Sequence, residues 1–91
     1  MPLAWFRLYA ELLNDPKVQT LDHETFHFWI NLLCIASQQG ARGTLPAITS
    51  VAFQLRITPD EATTFMQAMV SSGLVDTDPV LSIHAWDRRQ F

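Results

Sequence analysis

Apolar positions along this chain recur at helical spacing in three blocks, separated by irregular or alternating stretches. The longest block follows Asp22. Asp22 predicts an N-cap, and Leu21 predicts a hydrophobic staple onto Phe26. The helix should run to about Gln39, where Gly40 supplies a left-handed stop. Phe26, Trp29, Ile30, Leu33 and Ser37 share one face. Phe28, Leu32 and Ile35 form a second stripe nearly opposite. A helix apolar on two faces is either central in its domain or part of a subunit interface.

The second block is Ile48, Val51, Ala52 and Leu55, one stripe at i, i+3, i+4 and i+7, with Pro46 at an early helical position. Arg56-Ile57 reads as a turn. Thr58-Pro59-Asp60-Glu61 predicts a capping box with Pro at N1, and Ala62, Phe65, Met66 and Met69 form the buried stripe of the third block. Gly73 closes that helix.

Around these blocks, Leu3–Tyr9 reads as a short strand or extended segment, and Ala10–Leu13 as a short helix ended by Asn14-Asp15-Pro16. Lys17–Leu21 reads as a connector and Ala41–Thr44 as a loop. Leu74-Val75-Asp76, Thr77-Asp78-Pro79 and Val80–His84 read as strand, turn and strand. The order predicts a mainly α fold with a small β-hairpin, a winged helix-turn-helix spanning residues 1–91 as one domain. The N-terminal strand is expected to pair beside the hairpin and protect its edge.

Composition narrows the function. Hydrophobic residues make up 48% of the 91 positions and charged residues 16%, which excludes the disordered class. So small and apolar a domain is expected to leave apolar surface for a partner or for a second copy. The net charge is −3 with six Lys and Arg residues. Tight DNA binding draws on many cationic contacts, so this balance argues against it for the domain alone. A single cysteine, Cys34, fits a reducing cytoplasm and is expected to be inert core. Leu3–Leu8 is too short for a signal-peptide core, and the apolar run Phe26–Ala36 is too short and too interrupted to span a bilayer.

His23-Glu24-Thr25-Phe26-His27 matches H-E-x-x-H, in which two His one turn apart bind zinc and the Glu acts as base. Here His23 directly follows the cap, and the next acidic residue after Glu24 is Asp60, two predicted elements away. Helix-start histidines are the better reading. No nucleophile arrangement or phosphate loop is present, so the chain reads as a non-enzyme without cofactor or metal. Trp5, Phe6, Tyr9, Trp29, Phe53 and Trp86 read as packing residues rather than as base-stacking platforms. Trp86 is singled out as an anchor or interface residue after the wing.

Two classes of function remain. In a DNA-binding module, Arg42, Arg56, Arg88 and Arg89 would hold phosphates, and Thr63, Thr64, Gln67 and Ser71 would face the groove from the solvent side of their helix. In an assembly module, Phe28, Leu32, Ile35 and Trp86 would form an interface for self-association or for recruiting another protein. The helix after Thr58 carries no Lys or Arg and opens with Asp60 and Glu61, charges that suit a helix dipole and repel phosphates. That favours assembly.

The segments WFRLYAELLNDPKVQTL, AFQLRITPDEA, SSGLV and HAWDRRQ resemble the N-terminal winged-helix domain of phage-type replisome organisers and DnaD-like replication initiation proteins. Asp15–Val18 and the closing Trp86-x-x-Arg89-Gln90 are the most specific parts. The resemblance implies a cytoplasmic role in starting DNA replication and self-association as a dimer or higher oligomer. It also implies more chain after Phe91, and on the assembly reading the domain would recruit a helicase or its loader. DNA binding is then weak or auxiliary. The alternative is a sequence-specific winged-helix transcription regulator.

Overall fold

The computed structural model describes the backbone of residues 5–89 and the side chains of residues 5–87. After an extended stretch, a 3-10 helix spans Ala10–Asn14. Helix α1 (Pro16–Gln19) follows where a connector was expected. Asp15 explains the difference: its Oδ1 accepts from Lys17 N at 3.0 Å, and Pro16 sits at N1. Asp-Pro thus stops one helix and starts another, and α1 delivers Val18 to the core.

Helix α2 (His23–Ser37) is capped as expected, with Thr25 N donating to Asp22 Oδ1 at 2.8 Å. The second stripe is buried throughout, and in the first Trp29, Leu33 and Ser37 are buried while Phe26 and Ile30 are partly so. Phe28, Leu32 and Ile35 join Trp29, Leu33 and Ala36 in one core cluster. Of the two placements open to a two-faced helix, the interior one is adopted. The expectation that Phe28, Leu32 and Ile35 present an outer interface is therefore corrected: all three side chains are buried within the domain. Cys34 is corrected too, because it is exposed. It falls on the polar face that also carries His27 and Gln38.

The exit from α2 also differs from expectation. The helix ends at Ser37, and the left-handed glycine is Gly43, at φ 93°, not Gly40. Gly43 N donates to Ala36 O, and Gly43 O accepts from Ile83 N at 2.8 Å. Leu45 N donates to Leu81 O at 2.9 Å, and Thr44 bridges Ser82. The supposed loop thus supplies the third strand-like segment of the wing. Residues 5–9 form no strand, and residues 3 and 4 of the expected N-terminal strand lie outside the described residues; the segment 43–45 pairs beside the hairpin.

Helix α3 (Ile48–Leu55) begins after Pro46 and lacks a side-chain cap. It meets α4 (Pro59–Ser71) through Arg56, whose left-handed φ 59°, ψ 43° makes the turn. A non-glycine residue there costs about 1 kcal/mol. The Thr58–Glu61 capping box is complete: Glu61 N donates to Thr58 Oγ1 at 3.1 Å, and Thr58 N to Glu61 Oε1 at 2.9 Å. Gly73, at φ 80°, ends the helix. Strands β1 (Val75–Asp76) and β2 (Ser82–Ile83) then pair antiparallel, Val75 opposite Ile83, and helix α5 (Trp86–Arg89) follows. The result is a mainly α domain followed by a small antiparallel hairpin, consistent with a winged helix-turn-helix.

Candidate functional site

Helix α4 occupies the second-helix position, so its outward face is the natural candidate surface. Ala62, Met66 and Met69 are buried beneath it. Thr63, Thr64, Gln67 and Ser71 are exposed, as their spacing predicts. The two threonine hydroxyls are turned back on their own helix. Thr63 Oγ1 donates to Pro59 O at 2.8 Å and Thr64 Oγ1 to Asp60 O at 3.1 Å. Their donor capacity is engaged before any ligand arrives, leaving Gln67 as the long polar side chain of the face.

Beside that face lies a shallow groove between α4, the start of α3 and the wing. Ile48, Met66, Val70 and Leu81 form its apolar floor, with Thr63, Gln67, Ser71 and Thr77 around it. No ionisable side chain lines it. The N-terminal end of α4 carries Asp60 and Glu61. A duplex approaching this end would meet two carboxylates, and one approaching the groove would meet hydrocarbon.

Among the described residues, neither Arg42 nor Arg56 lines this groove. Arg56 is exposed at the α3–α4 turn. Arg42 is a packing residue: its Nε donates to Ser37 O at 3.2 Å, its Nη2 to Trp5 O at 2.9 Å, and its guanidinium lies 5.5 Å from the Trp86 ring centroid. The side chains of Arg88 and Arg89 lie outside the described residues. Trp86 is buried against Gly43 and Phe6, so it anchors the end of the chain to the domain.

The aromatic residues depart from the packing expectation in part. Phe53 is 85% exposed on the outer side of α3, and Trp5 and Tyr9 are also exposed. Phe53 falls off the Ile48–Val51–Ala52–Leu55 stripe, so its periodicity already carried the signal. In the H-E-x-x-H stretch, His27 Nε2 lies 3.2 Å from Asn31 Nδ2. Among the described residues no group of three or more His, Cys, Asp and Glu side chains is placed to hold a metal. Hydrogen bonding from the Thr25 side chain, then from its backbone N–H, holds the Asp22 carboxyl below the usual carboxylate range, with a smaller contribution from His23. That marks a helix cap rather than a reactive group.

No helix among the described residues is long and apolar enough to cross a membrane. Comparison of the chain with protein-family models, with curated proteins and with solved structures returned no match.

Proposed function

We propose that this chain is a winged-helix assembly domain, with DNA contact auxiliary to its main role. The observation that carries this reading is the surface of α4. The helix in the DNA-reading position offers an acidic end and an uncharged, apolar-floored groove in place of cations. A surface of that kind suits protein contact, where an apolar centre with a polar rim is usual. The first occupant we assign to it is a second copy of the chain. The high apolar fraction and the exposed Val70 in the groove floor support this. The replication setting, with a helicase or loader as further partner, rests on the resemblance of the Asp15–Val18 and Trp86–Gln90 segments to replication initiators.

Sedimentation equilibrium tests the assembly role. Reversible self-association is expected, weakened at least tenfold by Val70→Asp, which adds charge at an exposed position without touching the core. A chain that stays monomeric at every accessible concentration, and binds no replication protein, overturns the reading.

The second reading, a sequence-specific transcription regulator, is favoured by one observation: Arg56 is exposed at the turn where α3 meets α4. A single arginine can anchor a phosphate but reads no sequence there by itself.

A further inference from the structure

Phe53 is 85% exposed, the most exposed large apolar side chain among the described residues. Its own chain therefore gives the ring no seat. Arg56, also exposed, follows three positions on, and its backbone N–H donates to Phe53 O at 3.3 Å. A phenyl ring and a cation thus lie close together at the end of α3. Single exposed apolar residues are common. What sets this one apart is a surface elsewhere on the domain that matches it in shape and charge.

That surface is the groove beside α4. It has a volume of about 470 Å³, with Ile48, Met66, Val70 and Leu81 as its apolar floor. A cavity of about 150 Å³ is enough to hold benzene. Asp60 continues the α4 face one turn before Thr63, and Asp78 follows Thr77 at the wing. Arg56, Asp60 and Asp78 are exposed and have no ion-pair partner among the described residues. An apolar groove flanked by carboxylates therefore complements a phenyl ring flanked by a guanidinium.

One chain cannot make this match by itself. Ile48 lines the groove, and position 53 lies about 140° further around α3 at ~100° per residue. We propose that Phe53 of one copy seats in the α4 groove of the next, with Arg56 beside Asp60. Ring and groove face different directions, so the contact is heterologous, and assembly passes beyond a two-fold dimer. This contact rests on the assembly reading above and names the element that enters the groove. One phenyl ring buries about 150–250 Å², far below the roughly 1,200 Å² of a stable complex. The copies therefore join reversibly, in numbers that rise with concentration.

Sedimentation velocity of the wild type, two variants and their mixture is the test. The wild type should pass beyond a dimer as concentration rises. Phe53→Ser keeps the groove and Val70→Asp keeps the ring, and each should weaken association roughly tenfold or more. Both positions are exposed, so neither change disturbs the core. Ser71→Arg, also exposed in the groove, is a second groove variant should Val70→Asp not fold. Mixed in equal amounts, the ring variant and the groove variant should form a one-to-one pair that grows no further, because one intact ring meets one intact groove. Phe53→Ser associating as the wild type does, while Val70→Asp does not, overturns this contact and leaves self-association through α4 standing. A mixture that forms no pair, or a wild type that stops at a dimer, overturns it equally. A wild type that stays monomeric at every concentration removes the contact and self-association together.

Discussion

Arg42 lies over the ring of Trp86, its guanidinium carbon 5.5 Å from the ring centroid, and the same side chain bonds the carbonyls of Ser37 and Trp5. One arginine thus ties the end of α2, the N-terminal segment and α5 together. Two of its nitrogens are thus engaged within the domain. Arg42→Ala should lower stability by about 1–2 kcal/mol, from the lost cation–π contact and two charge-assisted hydrogen bonds. Urea unfolding measures that loss, and DNA affinity should not change with it.

Gly43 faces the other part of the same indole. A Cβ at this position would stand 2.5 Å from Trp86 Cγ, on a backbone already at φ 93°. Strain and overlap act together, and no flexible side-chain end is available to give way. Gly43→Ala should destabilise by about 2 kcal/mol or more. Thermal unfolding followed by near-ultraviolet circular dichroism, which reports on Trp86 packing, is the check.

Leu32 separates a core role from an interface role for α2. It has no exposed surface and belongs to the same cluster as Phe28, which stacks on Phe65 at 5.0 Å. Leu32→Ala should cost about 2–5 kcal/mol. The loss should be the same at low and high protein concentration, because it is a loss of the folded unit rather than of a contact between copies. A cost that grows with dilution would place the residue at an interface after all.

Asp22 gives a prediction in pH. Its carboxyl is held below the usual range in the folded chain by hydrogen bonds from Thr25. The charged cap therefore stabilises the fold above the unfolded-state pKa, and the contribution fades as pH falls through the lower folded-state value. Asp22→Asn keeps a capping oxygen but removes the titration. The variant should show a shallower loss of stability between neutral and acidic pH than the wild type, measured by urea midpoints across that range.

Much of the helical part of the fold was legible because local signals there are strong. Asp22, Thr58-Pro59-Asp60-Glu61 and Gly73 mark helix ends by short-range hydrogen bonding and backbone freedom, which sequence spacing displays directly. The third edge of the wing was not legible. Its pairing joins Gly43–Leu45 to Leu81–Ile83 across nearly forty positions, and nothing local in GARGTL distinguishes a paired segment from a loop. Leu3–Tyr9 had the better strand composition, yet its residues 5–9 form no strand. On the candidate site, exposure of Thr63, Thr64 and Gln67 followed from helical period. Arg42 did not, because its role depends on Trp86 arriving from the far end of the chain.

The central claim is that the second helix of the pair has the position of a DNA-reading helix without its electrostatics. Fluorescence anisotropy of a labelled duplex, titrated with the chain at low and at moderate salt, tests it most directly. Binding should be no tighter than the non-specific range, weaker than about 1 µM at moderate salt, and little changed by Gln67→Ala. Sub-micromolar binding that falls steeply with salt and is lost on Arg56→Ala would contradict it.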